Sequence, residues 1–239
     1  MIDPHIQRIR VRHRLSQEEE EAIRSIMPPP TRLKRHAMAV RHGDRLEAST
    51  LLIAGLMGRY KDLPNGRRQF AQLHVPGDFI DLHGFTLKRL EHNIMALSDC
   101  TIITVPHDRL RPLLSNYPRI GMLYWFSTNL DACINREWEL SLGQRSAVGR
   151  VAALFCEMHV RVTQIGDPSA LSFPLPMNQS ELAECVGMTP VHVNRTLRQL
   201  REEGIATFER GRVDILDLDQ LHKLAQFDPS FLYLNAEPL

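Results

Sequence analysis

The sequence predicts an α+β protein with three parts: an antiparallel β domain at the N-terminus, one long helix, and a winged helix-turn-helix at the C-terminus. Three observations support this prediction. Short apolar runs separated by turn residues fill 33–106, which is typical of an antiparallel sandwich or barrel. A stretch that is almost free of Pro and Gly follows over 118–142. The segment 179–217 then has the pattern of two capped helices and a β-hairpin.

Composition places few limits on function. The chain has 239 residues, of which 43% are hydrophobic and 24% charged, and its net charge is +1. Any affinity for nucleic acid must therefore come from local clusters of Arg and Lys. The N-terminal sequence lacks the apolar core of a signal peptide, and no window reaches the roughly 18 apolar residues of a membrane helix. The four scattered cysteines favour reduced thiols in a cytoplasmic protein.

The N-terminal domain is assigned to residues 1–116. The first helical signal is at Ser16 and Glu19, which have the spacing of a capping box, and the prolines at 28–30 end that helix. Asn65-Gly66 between two strand-like runs predicts a β-hairpin. The runs at 93–97 and 101–105 predict two more strands.

Residues 117–145 are predicted to form a long helix followed by a hinge at Gln144–Ser146. Apolar residues recur along this helix at close to heptad spacing, so it could bury one face on the β domain and another against a partner helix. Those positions are Leu123, Leu130 and Ile134. The alternative is that these side chains face the core of their own domain. Ser146 is placed to cap the next helix.

The C-terminal domain, 146–239, carries the most informative pattern. Gly187 is predicted to form the turn between two helices, and the first helix is predicted to be capped by Gln179 or Ser180. Thr189 is predicted to cap the second helix, with Pro190 at its first position, where a missing N–H costs nothing. The inward-facing residues of the second helix are then Val193, Leu197 and Leu200.

The outer face of this second helix is polar and suits the major groove of DNA, where each base pair presents its own pattern of donors and acceptors. Its residues are Val191, His192, Asn194, Arg195 and Arg198. Gln179 and Ser180 can meet phosphates, and a predicted hairpin carries Arg210 and Arg212 at its basic tip, over the DNA backbone. The alternative is a helical hairpin for protein contact, and the adjacent wing argues against it.

Taken together, these segments resemble the Crp/Fnr superfamily of bacterial transcription regulators over nearly the whole chain. The most telling residues are Val75-Pro76-Gly77-Asp78-Phe79-Ile80, and Gly187-Met188-Thr189 through Arg195-Thr196-Leu197. The resemblance implies an N-terminal jelly-roll-like β-roll with an effector pocket, a long dimerisation helix and a C-terminal winged helix-turn-helix. It also implies a homodimer, RNA polymerase contact through 166–172, and Arg195 on a guanine.

The sequence departs from the nucleotide-binding members of that family. Their cassette is Gly-Glu-Leu followed by Arg-Ser/Thr-Ala, in which the Glu holds the ribose and the Arg the phosphate. Leu82 stands in the first part and cannot accept a hydrogen bond, while Glu91 stands in the second and would repel a phosphate. Arg89 or Lys88 could substitute only if the loop is shortened. Cyclic AMP is therefore not expected and no cofactor is predicted. The effector pocket is assigned to Asp81, Leu82, His83, Arg89, Glu91 and His92.

Other sensor chemistries have weaker support. Iron–sulfur members of the family need N-terminal cysteines, and none precedes Cys100. Histidines 74, 83 and 92 share the sheet region and could ligate a metal or haem, but hydrogen-bonded histidines are commoner, so no metal is predicted. Cys156 and Cys185 could be oxidised, although their apolar helical surroundings favour buried, inert thiols.

The sequence therefore predicts a sequence-specific DNA-binding transcription regulator. The alternative is a small-molecule, redox or metal-sensing module whose DNA binding depends on an unidentified effector. An enzyme is not predicted, because the sequence has no nucleophile elbow, Walker loop or HExxH motif. Val191 stands where many relatives have a Glu, so the half-site is expected to favour a thymine methyl at that contact.

Overall fold

The computed structural model describes residues 2–234, and the chain divides into two compact units. Within these residues, one unit holds 2–60, 73–133 and 232–234, and the other holds Lys61–Gln72 and Ile134–Phe231. The strands are β1 (Thr31–Leu33), β2 (Met38–Val40), β3 (Ala48–Ala54), β4 (Met57–Asp62), β5 (Arg68–His74), β6 (Asn93–Ala96), β7 (Cys100–Pro106), β8 (Ser172–Pro174), β9 (Ala206–Glu209) and β10 (Arg212–Ile215). The helices are α1 (Asp3–Arg12), α2 (Gln17–Ser25), α3 (Gly84–Leu87), α4 (His107–Asn116), α5 (Pro118–Gln144), α6 (Ala147–Thr163), α7 (Gln179–Val186), α8 (Pro190–Glu202) and α9 (Leu218–Ala225).

Two antiparallel sheets provide the strands of the N-terminal half of the chain. One has the strand order β1-β7-β3 and the other β2-β6-β4-β5. Leu52 and Ile102 from the first sheet share one buried cluster with Met57 and Ile94 from the second, so the two sheets enclose a common core. This is the jelly-roll-like β-roll that the sequence predicted.

Two local predictions, one for α2 and one for the turn between β4 and β5, are confirmed. Ser16 Oγ accepts a hydrogen bond from Glu19 N at 3.1 Å, and Glu19 Oε2 accepts one from Ser16 N at 2.9 Å, which is the predicted capping box of α2. The turn between β4 and β5 contains Gly66 at φ +80, the positive value that such a turn requires.

Helix α1 corrects the prediction that helical structure begins at Ser16. No side chain caps this helix at Ile2, and Pro4 lies in its first turn. Its inner face is buried in the core of the first unit, where Ile6 is 2% exposed. A Cβ at Gly77 would lie only 2.6 Å from the carbonyl oxygen of Pro4. The helix therefore depends on tertiary packing against the loop at Gly77, which a search for local caps does not detect.

The long helix α5 confirms the corresponding prediction. It has 27 residues and so spans about 40 Å at 1.5 Å per residue. The helix belongs to the first unit as far as Cys133 and to the second from Ile134. Neither α5 nor any other helix within residues 2–234 is both long enough and apolar enough to cross a membrane.

The second unit combines four helices, α6 to α9, with a small sheet in the order β8-β10-β9. Strand β8 was not predicted from the sequence, and it pairs with β10 in the register Phe173–Val213. Within this unit Glu157 is 3% exposed. Its carboxylate accepts hydrogen bonds from Trp138 Nε1 and Arg161 Nη1, both at 2.6 Å. These two donors compensate the burial of the charge.

Candidate nucleic-acid interface

Helices α7 and α8 form the centre of the candidate interface. Asn178 caps α7: its Oδ1 accepts a hydrogen bond from Glu181 N at 2.9 Å, and Glu181 Oε2 accepts one from Asn178 N at 2.7 Å. This corrects the assignment of the cap to Gln179 or Ser180, which are the first two residues of the helix. Gly187 ends α7 at φ +64. A Cβ there would lie 2.9 Å from Leu142 Cδ2, so the turn requires glycine.

The start of α8 is built as predicted. Thr189 is extended, and its hydroxyl accepts a hydrogen bond from His192 N at 3.3 Å. Pro190 occupies the first helical position, where the fixed φ of proline matches the helix. The inner face is apolar: Val193 is 0% and Leu197 is 8% exposed. These contacts fix which side of α8 faces away from the protein.

All five side chains predicted on the outer face of α8 are exposed. They are Val191, His192, Asn194, Arg195 and Arg198. Val191 is 73% exposed, although apolar side chains gain from burial. A single exposed apolar side chain is ordinary at a protein surface, and the position of Val191 in the first turn of α8 places its methyl groups on the outer face.

Hydrogen bonds distinguish the polar members of this face. Asn194 Nδ2 donates to Gln179 Oε1 at 3.1 Å, so the first residue of α7 orients an amide on α8. The Arg198 guanidinium donates to Glu202 Oε1 at 2.7 Å and is held along the helix. Within residues 2–234, no hydrogen bond or ion pair engages the Arg195 side chain. Arg195 is therefore the arginine of this face that is ready to bind an external acceptor.

The predicted wing is present as the β9–β10 hairpin. Its tip is Arg210-Gly211, with φ +51 and +73, the left-handed pair that a two-residue hairpin turn requires. Arg210 is exposed at this tip. Arg212 differs, because its Nε donates to Ser172 Oγ at 2.6 Å and lies 3.6 Å from Asp214 Oδ1. Part of its hydrogen-bonding capacity is thus used within the wing.

The residues assigned to an effector pocket lie in two environments. Asp81 is 1% and Leu82 8% exposed, and the rings of His83 and His92 lie 5.4 Å apart. Arg89 and Glu91 are exposed, and Arg89 donates to the carbonyl oxygen of Gly43 at 2.6 Å. The predicted set is therefore divided between a buried group and a surface loop.

In the buried group, desolvation and the nearby Arg59 charge shift the pKa values of Asp81 and His83. Burial raises the pKa of Asp81 to about 7, although a hydrogen bond from Thr50 N and the Arg59 charge oppose the shift. Burial also lowers the pKa of His83 to about 3, and the Arg59 charge acts in the same direction. The His83 ring is therefore neutral at physiological pH.

The positions predicted for dimer contact require a correction. Leu123 is 3% and Ile134 2% exposed within the chain itself, and Leu130 is half-buried. Leu123 packs in the core of the first unit. The two buried side chains cannot meet a partner helix, and the alternative that they face their own core describes them better. The exposed large apolar residues of α5 are Met122, Trp125 and Leu140.

Two buried cysteines, Cys156 and Cys185, have shifted pKa values. Burial raises the pKa of Cys156 to about 12 and that of Cys185 well above its usual value. Both thiols are therefore protonated at neutral pH and poorly reactive. Among the described residues, no three or more His, Cys, Asp or Glu side chains are grouped to hold a metal ion.

Comparisons with known proteins identify the family. Residues 30–117 match the cyclic nucleotide-binding domain family, and residues 149–224 match the Crp-like helix-turn-helix domain family. The nitrogen fixation regulation protein FixK of Bradyrhizobium diazoefficiens is 30% identical over 182 residues, which cover 73% of this chain and 72% of the relative. This chain belongs to the Crp/Fnr family.

Two further relatives agree with this assignment. The transcriptional activator protein FnrL of Cereibacter sphaeroides is 24% identical over 177 residues, covering 71% of this chain and 69% of FnrL. The structure of FixK2 from Bradyrhizobium japonicum superposes with a TM-score of 0.75 at 24% identity and covers 82% of this chain and 96% of that one. The fold is therefore that of a Crp/Fnr regulator with a helix-turn-helix DNA-binding domain.

The cap of α7 and the contact of Arg59 were not predicted from the sequence. Asn178 and Glu181 have capping-box spacing and could have been found by the rule that located Ser16 and Glu19. Arg59, by contrast, contacts Asp131 at a separation of 72 residues, and no local pattern predicts such a contact.

Proposed function

We propose that this Crp/Fnr-family regulator is a homodimer that recognises a specific DNA sequence with α8 of each subunit. The observation that carries the proposal is the outer face of α8, where Asn194 and Arg195 are exposed while Val193 and Leu197 are buried on the opposite side. The helix-turn-helix family match over 149–224 supports the same assignment.

Base recognition is assigned to the first two turns of α8. Arg195 has a free guanidinium and can donate two hydrogen bonds to O6 and N7 of one guanine. Asn194, oriented by Gln179, can bind a neighbouring base edge, and His192 can reach a base or a phosphate. Val191 is exposed and apolar, so it suits the methyl group of a thymine. Together these side chains favour a half-site that contains both a guanine and a thymine.

Phosphate contacts are assigned to the edges of this surface. Gln179 and Ser180 lie at the N-terminus of α7, Thr189 and Pro190 at that of α8, and Arg210 at the tip of the wing. Helix N-termini carry partial positive charge and bind anions. Arg198 and Arg212 are shared with Glu202 and Asp214, so we expect each to contribute less than Arg195 or Arg210.

The dimer contact is assigned to the exposed side of α5 in the first unit. Met122 and Trp125 are 45% and 61% exposed, and Asn129 and Ala132 are exposed at the next two positions. The separations of three, four and three residues place the four side chains on one face of a helix. We call this set the α5 stripe. It lies beside the buried positions Leu123 and Ile134, and we assign the dimer contact to it instead of to them.

We also propose that DNA binding does not require a cyclic nucleotide. The domain match over 30–117 implies such a ligand, but the residues present do not suit it. Leu82 offers no acceptor for a ribose hydroxyl. The Glu91 side chain is 64% exposed and anionic where a phosphate would need a cation. The buried carboxyl of Asp81 is already bonded to Thr50 N at 2.6 Å. The proposed DNA binding therefore involves no nucleotide-dependent step.

The remaining assignments rest on the family alone. Segments 1–116, 117–145 and 146–239 would serve as the β-roll, the dimer helix with its hinge, and the DNA-binding domain. RNA polymerase contact is placed at 166–172, where Leu171 is 44% exposed.

The test is a selection from random duplex DNA with the wild-type protein, followed by fluorescence anisotropy on the recovered sequence. Arg195→Ala should weaken binding by about 1–3 kcal/mol and remove the preference for one base pair. Arg41→Ala removes an exposed arginine of the β-roll and should leave binding unchanged. Recovery of no sequence preference, or equal loss on every duplex, would refute specific recognition by α8.

A further inference from the structure

A buried arginine joins the β-roll to the long helix. Arg59 lies on β4, and its side chain is 8% exposed. Its Nη2 atom donates to the carbonyl oxygen of Ile80 at 2.9 Å and to Asp131 Oδ2 at 3.2 Å. Ile80 immediately precedes Asp81-Leu82-His83, and Asp131 lies on α5. The guanidinium therefore connects the segment assigned to an effector pocket with the helix that carries the α5 stripe.

The surroundings of Arg59 are closed to a charged ligand. Asp81 beside it is 1% exposed, and Leu82 is 8% exposed. The Arg59 charge acts on both Asp81 and His83, so all three belong to one electrostatic group. Arg59 thus connects the buried Asp81 carboxyl group and the Asp131 carboxylate of α5 within the protein itself.

We propose that Arg59 and Asp131 are positioning residues for DNA binding, and that their ion pair substitutes for an effector by fixing the long helix on the β-roll. The inference rests on the proposed function. It explains in physical terms why a chain with an unsuitable nucleotide cassette would bind DNA without a ligand.

The position of Asp131 on α5 explains how the ion pair can orient the long helix. Asp131 lies between Asn129 and Ala132 of the α5 stripe, and successive residues of a helix differ by about 100° in direction. A carboxylate held from one side therefore fixes the direction in which the stripe faces. Arg59 is buried, so loss of the Asp131 carboxylate would remove a partner of a buried charge. The pair therefore adds to the core packing of Leu123 in holding one rotation of the helix on the roll.

If the Arg59–Asp131 pair contributed only to folding, its variants would behave differently. It would contribute to the free energy of unfolding but would not change the DNA affinity of the protein that remains folded. The pair Lys34–Asp99, with side chains 81% and 66% exposed at 2.8 Å, provides a matched surface pair in the same unit.

The experiment compares Asp131→Asn, Arg59→Gln, the double variant, Asp131→Glu and the control Asp99→Asn. DNA affinity is measured by anisotropy on the duplex selected by the wild type, and the dimer constant by sedimentation. Each neutralising single variant should bind DNA about tenfold more weakly, within the range typical of coupling between sites. The double variant should lose no more than either single variant. Asp131→Glu keeps the carboxylate and should restore most of the affinity, while the control should match the wild type.

The possible outcomes distinguish failure of the proposed function from failure of the role proposed for the ion pair. Failure of the wild type to select any sequence refutes the proposed function. Specific binding by the wild type together with unchanged affinity in folded Asp131→Asn overturns the role of the ion pair alone. Losses that multiply in the double variant also overturn it, because they show that the two residues act independently. If Arg59→Gln does not fold, Asp131→Asn and Asp131→Glu decide the question, since Asp131 is 22% exposed and tolerates an isosteric change.

Discussion

Gln179 Oε1 accepts a hydrogen bond from Asn194 Nδ2 at 3.1 Å, and this contact links the two helices of the helix-turn-helix on their exposed side. Both residues are exposed, so the bond contributes little to folding. Its effect is to restrict the Asn194 amide to one orientation before DNA arrives. A side chain ordered in advance loses less entropy on binding.

Replacement of Gln179 by Ala should therefore weaken DNA binding without changing stability. The loss of one such hydrogen bond is expected to cost about 0.5–1.5 kcal/mol in affinity. Anisotropy on the selected duplex measures the affinity, and thermal unfolding monitors the fold. Gln199→Ala is the matched control, because within residues 2–234 the Gln199 side chain bonds only Glu203, the residue that follows its own helix. Equal effects of the two changes would contradict the linking role of Gln179.

The cap of α8 provides a stability prediction. Thr189→Ala removes the acceptor for His192 N, and such losses destabilise by about 0.5–2 kcal/mol. Thr189→Ser retains the hydroxyl and should stay within about 0.5 kcal/mol of the wild type. Urea unfolding of the three proteins is the measurement. A Ser variant as unstable as the Ala variant would show that the methyl group, and not the cap, matters.

The α5 stripe predicts how the protein dimerises. Trp125→Asp places a charge where an exposed tryptophan stands, and loss of such an anchor is expected to cost about 2 kcal/mol or more of dimer stability. Sedimentation equilibrium would detect the monomer. Leu87→Asp alters a residue of similar exposure, 60% against 61%, outside the stripe and should leave the dimer intact. Dimers of equal strength in both variants would exclude the stripe as the interface.

Asp81 predicts a pH dependence of stability. The pKa of this group is about 7 in the folded chain against an ordinary value of 3.8. Below about pH 4 the carboxyl is protonated in both the folded and the unfolded chain. As the pH rises toward 7, the unfolded chain releases this proton first. The free energy of unfolding therefore falls over this range. Asp81→Asn keeps an oxygen for Thr50 N and removes this titration.

The measurement is the difference in unfolding free energy between Asp81→Asn and the wild type. This difference should shift in favour of the Asn variant between about pH 4 and pH 7 and stay constant above that. A difference that does not vary with pH would mean that Asp81 titrates normally.

Local signals were sufficient to predict the DNA-facing helix. The cap at Thr189, the proline after it and the glycine turn at Gly187 each act within a few residues, so the printed sequence contains them completely. The apolar positions Val193 and Leu197 then fix the exposed side. The strand β8 was missed because three residues, Ser172–Pro174, are too few to show alternation.

Features that depend on distant packing could not be predicted in the same way. Helix α1 has no side-chain cap and forms against the loop at Gly77. Heptad spacing in α5 identified a long helix but could not tell which face the chain's own core would take, so Leu123 was assigned to the partner. The Arg59–Asp131 contact joins residues that only the fold brings together.

The most direct test of the central claim is hydroxyl-radical footprinting of the wild-type protein on the duplex it selects. Two copies of α8 in a symmetric dimer should protect two half-sites related by a two-fold axis, with centres about 34 Å apart along one face of the DNA. Protection of a single site, or of two sites without this symmetry and spacing, would contradict recognition by a homodimeric helix-turn-helix.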